Sequence, residues 1–197
     1  MPNVSGDSYG LTVLSPIRDD RRRPPSRTAE IRAYLSSLET GAGSPLARLS
    51  AHHFVRFVVL DDVFFESYPA HADHLKSPYL LFTSDFNGDL DDYLSRFVTA
   101  MPELVRGVWG HCYGFPGTES PARFVAYIKR CQVTTSLYFA DNPTTTVEQV
   151  LRALDVQRKM IGFIARTQGL AAAPLQAAFR SLIQEIRTAP TPGPGSH

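Results

Sequence analysis

Three hydrophobic runs carry the side chains that could do chemistry together. In His53–Leu60, Arg56 falls on the same side of an extended strand as Phe54, Val58 and Leu60. In Tyr79–Phe86, Leu81, Thr83 and Asp85 alternate onto one side, and in Leu104–Phe115 Trp109, His111 and Tyr113 do the same. If these runs are neighbouring strands, one sheet face collects Arg56, Thr83, Asp85, Trp109, His111 and Tyr113. A mid-strand guanidinium among apolar residues must find a partner or reach water. There Arg56 could anchor an anion or enolate, His111 could act as general acid or base, and Asp85 could orient either one. Trp109, Tyr113 and Thr83 would line the substrate. The same residues also fit a plainer arrangement, an internal Arg56–Asp85 ion pair beside a hydrogen-bonded core histidine. His111 stands out because it lies between Gly110 and Gly114, where backbone can approach a ligand closely.

Other constellations point to structure. His71-Ala72-Asp73-His74 has the look of a metal pair, but no third ligand lies nearby, so no metal is expected. The Asp85–Asp91 run imitates a calcium loop with its glycine at the wrong place, and Arg96 stands where a bidentate Glu is needed; helix capping explains these acids. Cys112 falls on the strand side opposite His111, and Cys131 fits a helical core stripe, so a Cys–His nucleophile is not expected. The chain has no P-loop, no GxSxG and no GxGxxG leading into a helix.

Composition sets the class. At 197 residues and 43% hydrophobic, the chain has material for one domain with a buried core. Lys and Arg total 20 against 19 Asp and Glu, which argues against nucleic acid as a partner. No apolar run approaches the ~20 residues of a membrane span. With two cysteines in no disulfide or zinc spacing and a polar N-terminus, a soluble, cytoplasmic protein is expected.

The elements that must position these residues follow from periodicity. Residues 1–25, rich in Ser, Gly, Pro and Arg, read as a disordered tail, and 26–52 as a helix (Ser26–Leu38) with a linker. The core domain spans 53–169. Its strands are expected at 53–60, 79–86, within 104–115 and at 134–140, with an ordered loop over 63–78. Helices are expected from Asp89 to Met101, around Phe124–Cys131, and from a Thr145–Glu148 capping box to Gly169. A docked helix (170–188) and a second disordered tail (189–197) complete the chain. The order predicts an α+β fold: an antiparallel four-stranded sheet with helices on one face, closed into a homodimer through the other.

The runs HFVRFVVLDD, LLFTSDFNGDLDDYL, WGHCYGFPG, FVAYIKRC and TTSLYFADNPTTTV resemble the ferredoxin-like, dimeric α+β barrel superfamily over about residues 53–169. More narrowly, they resemble small uncharacterised bacterial proteins often found beside haem-peroxidase-like proteins. That superfamily includes haem enzymes, such as chlorite dismutases and dye-decolourising peroxidases, and cofactor-free oxygenases and cyclases. This chain lacks a match to the dye-decolourising peroxidases' distal Asp and Arg motif, and its expected core helices carry no histidine to serve as proximal ligand. The resemblance therefore implies a small-molecule enzyme of a bacterial biosynthetic pathway, performing cofactor-independent cyclisation, isomerisation or oxidation of an oxygenated substrate. Two alternatives stand beside it: a non-catalytic binding or partner protein using the sheet face, and a haem-binding protein.

Overall fold

A computed structural model describes residues 3–18, 24–62 and 74–195. Four strands form one antiparallel sheet in the order β1 (Val4–Ser5), β2 (Ser8–Pro16), β4 (Tyr79–Asn87), β3 (His52–Leu60). β2 and β4 pair along their whole lengths, from Ser8 opposite Asn87 to Pro16 opposite Tyr79. β3 lies on the other edge of β4, with a bulge between His52 and Phe54. Since β2 and β3 both run antiparallel to β4, they are parallel to each other with β4 inserted between them. α1 (Arg27–Ser36) lies on the path between them, capped by Ser26.

Alternation in β4 is strict: Leu80, Phe82, Ser84 and Phe86 are buried, and Tyr79, Leu81, Thr83 and Asp85 are half-buried on the opposite side. Helices cover the first side. α2 (Leu90–Ala100) starts where Asp89 accepts hydrogen bonds from the backbone of Asp91 and Asp92, as helix capping of these acids requires, and buries Leu90, Tyr93, Leu94, Phe97 and Val98. α3 (Pro102–Trp109) and α4 (Pro121–Cys131) complete that layer. Its centre is Trp109, fully buried and edge-on to Phe57, Phe82, Phe97 and Phe124 at centroid distances of 5.1–6.3 Å. Aromatic pairs in this geometry contribute roughly 0.5–1.5 kcal/mol each beyond area burial.

Three expectations are corrected. Residues 1–25 are not all tail, because β2 is an interior strand whose Leu11, Val13 and Ser15 are buried, and Ile17 just past its end is buried too. Residues 104–115 are not a strand. Pro102 suits a first helical turn, and Leu104, Val105, Val108 and Trp109 recur at helical spacing, so their shared burial builds α3 and the chain turns at Gly110. Residues 134–140 are not a strand either. Gln132 bridges Val13 and the Val133 N–H donates to the Thr12 carbonyl, but beyond that point the edge of β2 is taken. The β1–β2 hairpin, turned through Gly6 at φ 58°, seats Val4 opposite Tyr9, and the Gly10 N–H donates to Asn3. The chain is displaced from the edge, and Tyr138 is carried onto the open side of the sheet at Gly10.

α5 (Val147–Thr167) and α6 (Ala172–Thr188) form a helical hairpin. The capping box of α5 sits one residue later than the sequence suggested, with Thr146 and Gln149 capping each other. The His71 and Asp73 positions and most of the expected 63–78 loop lie outside the described residues. His74 is described, and its Nδ1 meets Asp62 at 2.7 Å. Among the described residues, no helix is long and apolar enough to cross a membrane.

A buried polar chain ties β3 to this layer. The Leu46 carbonyl only accepts, so His52 donates to it from Nε2 (3.1 Å), and His52 Nδ1 then faces the Tyr93 hydroxyl at 3.5 Å. Tyr93 also meets Ser84 at 2.7 Å. Burial lowers the His52 pKa below its ordinary 6.5, with the Leu46 bond opposing that in part. The unfolded chain thus binds a proton that the folded chain resists. Stability conferred by neutral His52 is complete above about pH 6.5 and is lost as pH falls toward the depressed folded pKa. Chemical denaturation between pH 7.5 and 5 should show a steeper loss of stability for the wild type than for His52→Gln; identical slopes would remove His52 from this role.

Candidate functional site

The open side of the sheet is organised by register into rows. Gly10, Asp85 and Phe54 form one row, and Thr12, Thr83 and Arg56 the next. The bulge at His52/Phe54 sets this alignment; it places Phe54 opposite Asp85 and brings Arg56 opposite Thr83. Phe54 is 74% exposed and Arg56 is exposed beside it. Arg56 and Asp85, one row apart, make no ion pair with each other, so the plain internal pair considered from sequence is not formed.

The displaced chain after α4 turns this face into a pocket. Tyr138 lies against Gly10 so closely that a Cβ there would stand 2.6 Å from its ring. With Ser8, His53, Phe54, Asp85 and Phe139, Tyr138 lines a cavity of about 310 Å³, to which Val150 of α5 contributes. This volume lies at the small end of the range for small-molecule sites. Burial, and then the Asp85 carboxylate, raise the Tyr138 pKa, which keeps the phenol protonated and able to donate. At the same end of β4, Asn87 Nδ2 donates to Ser8 Oγ (3.3 Å) and to the Pro143 carbonyl (3.2 Å). That orientation turns Asn87 Oδ1 toward His53 Nε2 at 2.7 Å, so Nε2 donates to it and Nδ1 takes no part in that bond. The cavity thus combines a carboxylate, a protonated phenol and an oriented imidazole with aromatic walls.

The sequence-derived set is divided by the sheet. Arg56, Thr83 and Asp85 share the open side as expected. Trp109 is the centre of the core on the covered side. His111 lies in the turn after α3, where its Nδ1 is 3.3 Å from Glu30 Oε2 of α1 and its carbonyl accepts from the Arg18 N–H at 3.0 Å. Glu30 belongs to the helix layer, so His111 is across the sheet from Arg56 and Asp85. Tyr113 is half-exposed, with its N–H donated to the Pro16 carbonyl. The alternation that grouped Trp109, His111 and Tyr113 required a strand that is not there. Cys112 is buried and its thiol is pushed up to about 12, first by burial and then by Cys131, so it carries no thiolate at neutral pH. Among the described residues, no three His, Cys, Asp or Glu side chains gather as a metal site.

His53 and Tyr138 did not stand out in the sequence. His53 was the first residue of an expected strand, and only the bulge turns it to the open side. The TTSLYFADN run does carry a signal: Leu137 and Phe139 are 84% and 78% exposed, more apolar surface than a solvated loop needs.

Comparison with protein-family models, curated proteins and solved structures gives no match for this chain. The class defined by the coordinates is an α+β protein with a four-stranded antiparallel sheet, one face covered by helices and the other holding a small cavity.

Gly10→Ala should force Tyr138 off the sheet. Overpacking of this kind costs typically 1–3 kcal/mol, and hydrogen exchange should accelerate in residues 134–142. Unchanged stability and protection would mean that the loop is not held by this contact.

Proposed function

We propose that the open-face cavity is a small-molecule site where a partly apolar, oxygenated substrate undergoes cofactor-independent proton transfer, as in isomerisation or cyclisation through an enolate. The observation that carries this reading is the convergence of Asp85, Tyr138 and His53 on one cavity walled by Phe54 and Phe139. In this scheme Asp85 accepts the proton beside the substrate carbonyl, and the Tyr138 phenol donates to the oxygen on which charge develops. Arg56, exposed one row away, anchors an anionic group at the rim, and Thr83 lies between them. His53, fixed by Asn87, is a second proton acceptor. His111, facing Glu30, takes no part, and neither does Trp109. The test is exchange of α-protons for deuterium in a panel of enolisable aromatic carbonyl compounds, followed by NMR. Wild type should accelerate exchange, and Asp85→Asn should reduce kcat about a hundredfold or more without loss of folding; an equal rate in the variant would end the scheme.

A second reading, assembly through the same face, has its own support. The path β2, α1, β3, β4, α2, with the chain returning to bridge β2 at Gln132, supports a ferredoxin-like reading in which that single bridge stands in for a last strand. Sheets of that kind close face to face, and the exposure of Phe54, Leu137 and Phe139 suits such closure. Phe54→Asp should then weaken self-association in sedimentation velocity.

Haem has less support. The described helices carry no histidine, and His53 lines a cavity of only about 310 Å³. A cavity of that size does not fit a haem. A Soret band with a defined stoichiometry after haem addition would reverse that judgement.

A further inference from the structure

The open-face cavity is lined by carboxylates of one sign and given no counter-charge by the protein. Asp85 and Asp141 both line it, and no Lys or Arg stands with them. Neither carboxylate has an ion-pair partner among the described residues. Asp85 faces the Tyr138 phenol, and Asp141 accepts only from its neighbour Asn142, at 3.3 Å. His53, the remaining basic group of the lining, donates its Nε2 proton to Asn87. Arg56 is exposed one register row away and outside the lining. The N-terminus of α5 approaches at Thr145, but Thr146 caps it and Glu148 in the first turn offsets its positive end.

The walls have the same preference as the carboxylates. Phe54, Tyr138 and Phe139 line the cavity, and the faces of aromatic rings carry the negative part of their quadrupole, which attracts cations and repels anions. A metal ion is one cation that two carboxylates could draw, but no three His, Cys, Asp or Glu side chains gather to hold one among the described residues. An organic cation needs no such ligand set. It needs an acid, aromatic surface and room, and a cavity of about 310 Å³ has room for one ring with a short chain.

We propose that the substrate of this cavity is an aromatic amine, held as its ammonium ion between Asp141 and the aromatic walls. This rests on the small-molecule reading above and narrows its substrate class. Asp85 keeps its role as proton acceptor, because it already faces the phenol that serves the carbonyl oxygen. An ammonium group near that carbonyl withdraws electron density and makes the neighbouring C–H bond more acidic, so one group serves both binding and reaction. Arg56 at the rim remains for an anionic group on the same molecule.

The experiment is titration of the full chain at pH 7, by calorimetry or NMR, with three ligands of matched shape: 2-phenylethylamine, 2-phenylethanol and phenylacetate. The amine should bind about tenfold or more tightly than the alcohol, and phenylacetate more weakly than either. Asp141→Asn should bring the amine down to the level of the alcohol while the alcohol's own affinity stays unchanged, which also shows that the variant is folded. Phe139→Leu, which keeps bulk and removes the ring, should weaken the amine several-fold more than the alcohol. An alcohol that binds as tightly as the amine, phenylacetate as the tightest of the three, or an amine preference that survives both substitutions would each overturn the proposal. Binding is read without turnover, so the two readings fail separately. Amine preference without α-proton exchange ends the proton-transfer scheme alone, and exchange in neutral ketones without amine preference ends this inference alone.

Discussion

The full-length pairing of β2 with β4 is the interaction on which the other features rest. β4 contributes an uninterrupted alternation, and a strand on each of its edges satisfies its backbone groups. β3 takes one edge and β2 the other. Once β2 is in place, its inward Leu11 and Val13, with Ile17 just past its end, join Leu80, Phe82 and Phe86 to form the floor on which Trp109 and the α2 aromatics pack. Its outward Gly10 leaves the gap that Tyr138 fills. One strand register therefore decides both the core and the cavity.

The cavity arises from a competition for an edge. The free side of β2 is claimed at one end by β1 and at the other by Gln132 and Val133. Residues 134–140 carry the β-branched and aromatic composition of a strand but reach an edge already occupied, and backbone pairing cannot be shared. Crossing to the open side places Tyr138 and Phe139 over Asp85 and Phe54, where a continuous fourth strand would have left a flat sheet.

How much of this could be read in advance depends on the range of the interactions involved. β3, β4, α1, α2, α4, α5 and α6 follow from local periodicity and caps, and the structure holds them close to the expected positions. β2 was hidden because a nine-residue alternation was averaged into a Ser-, Pro- and Arg-rich stretch. α3 was hidden because Val and Trp suit strands by composition, although Leu104, Val105, Val108 and Trp109 already stood at helical spacing. Of the proposed site, Arg56, Thr83 and Asp85 were found because strand alternation is local. His111 was misplaced with the strand that was to carry it, and His53 and Tyr138 were missed because a bulge and an edge competition brought them in.

The amino-acid sequence by itself determined which segments are amphipathic, which faces are apolar, and where several helices begin, because those properties depend on neighbours within a few residues. The tertiary structure alone decided which strands meet, in what register, and on which side of the sheet each polar group stands. Those outcomes turn on pairing between distant residues, such as Asn3 with Thr135, 132 positions apart, for which a single chain offers no local signal.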